Sequence, residues 1–194
     1  TNLYRVNWKM AKWITGLTFA MSVVFGLLVV SNGVSLSLIQ NEGWLNPSNS
    51  SVIMLILISF IALINVRFSE TYMSGNVEEE ARFLRWLMMA LAAVTVVVIS
   101  NHLLILLAAW VAISSSLHKL LVFYPQRQRA VLAAYKKFIF ARIAEFTLFI
   151  AILLLHYETG SWLISDVYKA MESQPELSFT MQIAAILLAL TALI

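Results

Sequence analysis

Residues 138–155, FIFARIAEFTLFIAILLL, decide the fold, because they form one apolar run interrupted by only two charged residues, Arg142 and Glu145. A membrane-crossing helix needs about 20 mostly apolar residues, with a tolerated range of about 17 to 25. The apolar residues here are continuous, whereas the strands of a membrane barrel alternate apolar and polar residues over about 10 positions. The run therefore predicts a transmembrane α-helix that carries two charged groups.

Five further runs qualify or nearly qualify as spans, and together the six predict an all-α, polytopic transmembrane bundle forming a single membrane domain over residues 1–194. The predicted spans are approximately residues 13–38, 47–66, 83–99, 103–123, 138–155 and 179–194. Hydrophobic residues make up 61% of the chain, against about 45–50% in soluble domains. Because the chain begins at Thr1 without a methionine and stops at Ile194 inside an apolar run, we expect an internal stretch of a longer protein.

Composition and motifs argue against nucleic-acid binding, metal binding and covalent catalysis. The 13 Lys and Arg residues are spread between the apolar runs, so nucleic acid is not an expected partner. The chain has no cysteine, and the spans place His102 and His156 on one side of the membrane and His118 on the other. No metal site or cofactor is therefore expected in this chain. Without a phosphate loop or nucleophile elbow, the expected role is a transport subunit in a lipid bilayer, not an enzyme.

The distribution of Lys and Arg predicts the direction of the spans, because these residues are retained on the cytoplasmic side. If the chain starts in the cytoplasm, Lys169 lies outside and Arg142 lies within the fifth span. The other cations share the cytoplasmic side, namely Arg5, Lys9, Lys12, Arg67, Arg82, Arg85, Lys119, Arg127, Arg129, Lys136 and Lys137. We therefore expect a multi-pass protein of a bacterial inner membrane, with the N-terminus of this stretch in the cytoplasm.

Three connecting segments carry structural signals. Little more than residues 100–102 separates the third and fourth spans, which predicts an antiparallel hairpin of neighbouring helices. Segment 70–82 contains Gly75-Asn76 and then three consecutive glutamates, which predicts a turn and an acidic helix start, with a solvated loop favoured over a binding site. Apolar residues within segment 156–177 have the spacing of one short amphipathic helix, expected on the membrane surface.

Arg142 and Glu145 are the leading candidates for function. An ionisable group at the bilayer centre costs about 2.5–3.5 kcal/mol, so such groups usually face the protein interior and serve a purpose. Their i, i+3 spacing brings the guanidinium to the carboxylate, about 10 Å from the cytoplasmic start of the predicted span. A purely structural buried pair and an ion relay are both compatible with this pattern, and the ion relay is favoured.

Three further residues are candidates for an ion pathway. His118, near the cytoplasmic end of the fourth span, either exchanges protons with Glu145 or only bonds to a neighbour at the interface. Lys136 and Lys137 precede the fifth span, either as anchors that extend to the interface or as a mouth that attracts anions or supplies Arg142. The serines at 114–116 either hold water or bond back to their own helix.

Segments 99–110, ISNHLLILLAAW, and 123–146, FYPQRQRAVLAAYKKFIFARIAEF, resemble the antiporter-like subunits of respiratory complex I and of Mrp antiporters, in their L-type branch. The resemblance covers most of the chain from about residue 47 onward. In that family, the fifth helix contains a tryptophan followed by a glutamate. The family's sixth helix contains Lys-x-Phe, then Arg, then an acid three residues later. The matching positions here are Trp110, Lys136, Phe138, Arg142 and Glu145. The resemblance implies that the six spans are the family's second to seventh helices.

One position departs from that pattern. The family's proton-pathway glutamate is replaced by Val111, which puts the redox-coupled pumping cycle in doubt. Segment 110–125, WVAISSSLHKLLVFYP, more closely resembles the DabB branch, whose members pair with a zinc-containing DabA protein. That resemblance implies a proton or sodium flux that drives hydration of carbon dioxide to bicarbonate by the partner, which we expect on the cytoplasmic side. The family's seventh-helix lysine would fall beyond Ile194.

Three hypotheses follow. The first is a DabB-like, cation-conducting subunit that energises inorganic carbon accumulation by a DabA-like partner, with zinc on that partner. The second is an L-type subunit of complex I or of an Mrp antiporter, which would copurify with the partners of those complexes. The third is a passive membrane anchor for a soluble enzyme, in which Arg142 and Glu145 only neutralise each other.

Overall fold

The computed structural model describes residues 2–32, 43, 49–73, 77–124, 126, 128–173 and 178–194. Seven α-helices lie within these ranges, namely α1 (Asn2–Asn32), α2 (Asn49–Tyr72), α3 (Val77–Ile99), α4 (Leu103–Leu121), α5 (Gln128–Thr159), α6 (Ile164–Ser173) and α7 (Phe179–Leu193). Helices α1 to α5 are long and apolar enough to cross a membrane, and α7 is a shorter apolar helix. The predicted all-α, polytopic membrane class is therefore confirmed, and α7 occupies the sixth predicted span.

Several helices extend beyond the predicted apolar runs. Helix α1 begins at Asn2 instead of residue 13, and α5 covers Gln128–Thr159 instead of 138–155. Polar residues add hydrogen-bonded turns readily once a helix exists, so the backbone stays helical beyond the apolar core. The predicted end of the first span and start of the second, at residues 38 and 47, lie outside the described residues.

The length of α5 changes the expected distance of its charged pair from the start of the helix. Its 32 residues correspond to about 48 Å, and Arg142 and Glu145 lie on either side of the helix midpoint. Glu145 therefore lies about 25 Å from the start of α5 and not about 10 Å as predicted, because the first ten residues of α5 were not assigned to the helix.

The chain divides into two compact units, residues 1–99 and 100–194. In the first unit, α1 runs antiparallel to α2, and α3 contacts both. The Ser22 and Ser59 hydroxyl oxygens are 2.8 Å apart, which joins the middles of α1 and α2. One turn further along α1, a Cβ on Gly26 would lie 2.8 Å from the Cδ1 atom of Ile56, so glycine permits the close approach there.

The segment between α2 and α3 was predicted to be a solvated loop, but two acidic residues in or beside it are bonded to α1. Glu70 belongs to α2 and accepts hydrogen bonds of 2.9 and 2.8 Å from the Lys12 ammonium. Glu80 is only 6% exposed and accepts a 3.1 Å hydrogen bond from the Trp8 indole. Both donors come from α1, far away in sequence, so a local charge pattern gave no sign of them. The predicted helix start is confirmed at Val77, whereas Gly75 and Asn76 lie outside the described residues.

In the second unit, α5 packs against α4, α6 and α7. Its buried apolar cluster, here called the outer cluster, consists of Leu103, Leu148, Ile152, Leu155, Val167 and Ala184. Helix α6 is the short amphipathic helix that the sequence predicts. Its Val167 is buried in the outer cluster, so one face of α6 packs on the protein itself.

Candidate functional site

Glu145 is the centre of the candidate site. It is 6% exposed and lies on the face of α5 that also carries the buried Leu148 and Ile152. A carboxylate in such surroundings needs partners for its charge, because burial without them is strongly unfavourable. The structure supplies a cation from the same helix and a hydroxyl from a neighbouring helix.

The cation is Arg142. Its Nη2 atom lies 2.7 Å from Oε1 of Glu145, and the i, i+3 spacing places both side chains on one face of α5. The Arg142 side chain is 38% exposed and that of Glu145 is 7% exposed, so the pair joins a buried carboxylate to a more accessible guanidinium. The predicted pairing is present, and its role in an ion pathway remains a prediction.

The hydroxyl comes from Ser114 on α4. Its Oγ atom donates a 2.6 Å hydrogen bond to Oε1 of Glu145 and accepts a 2.9 Å bond from Nη2 of Arg142. Ser115 accepts a longer bond of 3.4 Å from the same guanidinium nitrogen, whereas Ser116 bonds back to the carbonyl oxygen of Ala112 at 2.7 Å. Of the two alternatives for these serines, back-bonding is found at Ser116, whereas Ser114 bonds to the charged pair because α4 and α5 approach closely there.

His118 and Arg142 share a contact with one aromatic ring. The Phe138 ring centroid is 4.4 Å from that of His118 and 4.8 Å from Cζ of Arg142. The Nδ1 atom of His118 and the Nε atom of Arg142 are both buried without a hydrogen-bond partner among the described residues. His118 therefore lies beside the candidate site, in contact with the same ring as the guanidinium. No hydrogen bond joins it to Glu145 in the described part of the chain.

Lys136 and Lys137 are not brought into the site. Both are exposed on the early turns of α5 and form no ion pair with the described residues. Trp110 is 41% exposed and Val111 is half-buried on α4. Phe138 was singled out in the sequence only through the family resemblance, and its contact with both His118 and Arg142 could not be inferred from the linear pattern.

A second polar contact, which the sequence did not reveal, joins α5 to α7. The hydroxyl oxygens of Thr147 and Thr191 are 3.0 Å apart, and Thr191 is buried. Each hydroxyl oxygen also lies 2.8 Å from a carbonyl oxygen of its own helix, Thr147 from that of Ala144 and Thr191 from that of Leu187, so one threonine can donate to its own helix while the other donates across. An isolated threonine in an apolar run usually bonds in this way, so only the packing of the two helices identifies the pair.

The other end of α4 is tied to α6 by the Asn101 side chain. Its amide nitrogen donates to the Ser165 hydroxyl and its oxygen accepts from the Ser165 backbone N–H, both at 3.0 Å. The Asn101 carbonyl also accepts from the Ile164 N–H at 2.8 Å. Nearby, the His156 ring stacks on Trp162 with centroids 3.7 Å apart. These contacts fix α4 and α6 relative to each other.

Within the described ranges, no three His, Asp or Glu side chains gather in an arrangement that could hold a metal ion. His102 and His156 lie near Trp162, and His118 lies near Phe138. The candidate site consists of a carboxylate, a guanidinium and hydroxyl groups, a set suited to proton exchange or to transient contact with a monovalent cation.

Comparison with known proteins places these residues in context. Residues 100–194 match the transmembrane family described as NADH:quinone oxidoreductase/Mrp antiporter. The chain is 53% identical, over all 194 residues, to the probable inorganic carbon transporter subunit DabB of Hydrogenovibrio crunogenus, and it spans 37% of that protein. It is 36% identical over 138 residues, 71% of this chain, to the probable inorganic carbon transporter subunit DabB2 of Halothiobacillus neapolitanus, of which the match covers 25%.

A more distant relative is the chloroplastic NAD(P)H-quinone oxidoreductase subunit 5 of Anthoceros angustus. The identity is 31% over 120 residues, which are 62% of this chain and 16% of that protein. Together with the apolar helices, these matches show a multi-pass membrane subunit. Residues 100–194 therefore belong to the transmembrane family of NADH:quinone oxidoreductases and Mrp antiporters, and the similarity to DabB extends over all 194 residues of this chain.

Proposed function

We propose that this chain forms part of a cation-conducting subunit, for protons or sodium, that energises inorganic carbon accumulation by a DabA-like partner. The observation that carries the proposal is the Glu145 carboxylate, buried near the middle of α5 and in contact with Arg142 and Ser114. A buried carboxylate is a group that can accept and release a cation inside the membrane. The similarity to DabB supports the carbon-related role.

Uptake and transfer of a proton at Glu145 would change the net charge of the site in a simple cycle. With Glu145 ionised, the pair carries no net charge, and Ser114 donates to Oε1. When Glu145 accepts a proton, the Arg142 guanidinium is left with an uncompensated positive charge in a medium of low dielectric constant. Transfer to the next group along the path restores the neutral pair.

The partner supplies the carbon chemistry in this proposal. A zinc ion on the DabA-like protein would activate water for the hydration of carbon dioxide to bicarbonate. We place that partner on the cytoplasmic side, together with the N-terminus of this chain, in a bacterial inner membrane. The residues described here would let a cation cross the membrane, and the energy of that flux would make the hydration one-way.

The proposal is tested by Glu145→Gln in the full-length protein, expressed together with its partner. We expect growth at ambient carbon dioxide to be lost and growth at elevated carbon dioxide to be kept, because the variant cannot exchange a cation. Copurification of the partner verifies assembly. The matched control is Glu158→Gln, the same change at the end of the same helix, which should grow normally. Undiminished growth of assembled Glu145→Gln would contradict the proposal.

A double variant separates conduction from a passive anchor. Arg142→Gln combined with Glu145→Gln removes both charges and keeps side chains of similar size. A passive anchor would retain activity in this variant, whereas a conducting subunit loses it. The L-type alternative, to which the match with NAD(P)H-quinone oxidoreductase subunit 5 points, is tested by copurification. Recovery of quinone-reducing or antiporter subunits in place of a DabA-like protein would favour it.

A further inference from the structure

The first unit contains a groove that the proposed function does not use. It has a volume of about 750 Å³ and lies between α1 and α2, on the residues that surround the ion pair of Lys12 and Glu70. Its walls combine charged groups at one end with small and apolar residues along α1. We propose that this groove binds one phospholipid of net negative charge, with its phosphate at Arg67 and Lys12 and an acyl chain along α1.

The charges at the head of the groove favour an anion. Lys12 is neutralised by Glu70, to which it is bonded at 2.8 and 2.9 Å. Arg67 is exposed and has no ion-pair partner among the described residues, so the groove keeps one net positive charge. A guanidinium binds two phosphate oxygens at once. The Glu70 carboxylate can accept hydrogen bonds from headgroup hydroxyls such as those of phosphatidylglycerol.

The walls below the charges fit an acyl chain. Trp13 is 78% exposed beside Lys12, in the position typical of an aromatic side chain at the membrane interface. Gly16 and Ala20 follow on the same face of α1, and Leu17 is exposed next to them. The eight helical steps from Lys12 to Ala20 correspond to about 12 Å of groove.

Gly16 keeps the groove open. A Cβ atom added at Gly16 would meet no atom within 4 Å. A larger side chain at this position would therefore occupy the groove without disturbing the packing of α1 on α2. The groove can thus be filled, and its charge removed, by separate substitutions that leave the helices in place.

Native mass spectrometry of the full-length protein with its partner tests the proposal. The complex is extracted from vesicles of equimolar phosphatidylglycerol and phosphatidylcholine, and the retained lipids are identified. We expect one retained phosphatidylglycerol in preference to phosphatidylcholine. Arg67→Gln should reduce its retention about fivefold, the effect of one cation near an anionic lipid. Gly16→Leu should abolish retention.

Two controls make the result specific. Arg85→Gln removes an exposed cation from α3, outside the groove, and Ala185→Leu places the same leucine side chain at an exposed position of α7. Both should retain the lipid as the unchanged protein does. Three results would each overturn the proposal. They are equal losses of lipid in Arg67→Gln and Arg85→Gln, equal retention of the two lipids, and the absence of lipid from the unchanged protein. Displacement of the lipid by inorganic phosphate would also overturn it, since it would identify a site for a free anion.

Discussion

At the scale of single residues, Ser114 is the contact that turns two charges on one helix into a site shared by two helices. Its hydroxyl accepts from Arg142 and donates to Glu145, and it belongs to α4, whereas both charges belong to α5. Within α5, Arg142 already neutralises the charge of Glu145. The serine adds a link that fixes where α4 lies along that helix.

Removing this hydroxyl should weaken the second unit. We expect Ser114→Ala to lower the free energy of unfolding by about 1.5–3 kcal/mol, the range for a hydrogen bond to a charged group. Thermal unfolding of the detergent-solubilised complex measures the effect. Ser116→Ala is the matched control, since among the described residues Ser116 bonds only to its own helix, at Ala112, and the change should affect stability much less. Equal losses in the two variants would show that the contact with Glu145 contributes nothing specific.

The sequence predicts the charged pair well and the serine poorly, for a physical reason. Contacts three residues apart on one helix follow from helix geometry alone, so Arg142 and Glu145 could be paired in advance. The contact of Ser114 with Glu145 depends on how two helices pack, which spacing along the chain does not determine. The same reasoning explains why Trp8 and Glu80 were missed.

At the scale of elements, α6 is held by the Asn101 side chain and by the outer cluster. Asn101 makes two bonds to Ser165, and Val167 is buried among apolar side chains of α4, α5 and α7. Helix α6 has only ten residues, and isolated helices of that length are marginal in water. Its order therefore depends on these tertiary contacts.

Loss of the Asn101 amide should loosen α6. We expect Asn101→Ala to increase amide hydrogen exchange over residues 161–173 and to leave residues 138–155 unchanged, because only the attachment of α6 is removed. Hydrogen–deuterium exchange followed by mass spectrometry measures this. Ser173→Ala, which removes a bond within α6 itself, serves as the control. Unaltered exchange in Asn101→Ala would mean that the apolar cluster and the backbone bond from Ile164 to residue 101 are enough to hold the helix.

Element boundaries show what periodicity and hydropathy can predict. The apolar runs located every long helix, because burial in lipid requires a continuous apolar stretch. They did not locate the first turns of α1 and α5, where polar residues such as Lys136 continue the helix. Hydropathy thus reports the part of a helix suited to lipid, and the polar turns beyond it need other evidence.

At the scale of the whole molecule, the orientation of the chain is open to a direct test. These 194 residues contain no cysteine, so single cysteines can be placed at will. We expect Gln126→Cys to react with an impermeant maleimide only from the cytoplasmic side and Ser173→Cys only from the opposite side, as the distribution of Lys and Arg predicts. Labelling of intact cells and of inverted vesicles compares the two. Labelling of both positions from one side would exclude this topology.

The outer cluster has a consequence for the route of any ion. On the face of α5 that begins at Glu145, the buried side chains toward Thr159 are Leu148, Ile152 and Leu155, all within that cluster. They extend for about 15 Å without a hydrogen-bonding side chain, and a bare charge in such a medium meets a solvation barrier of several kcal/mol or more. Under the proposed function, this apolar stretch would oppose the passage of a charge along α5 itself. A cation at Glu145 would then leave toward α7, where the hydroxyl oxygens of Thr147 and Thr191 lie 3.0 Å apart.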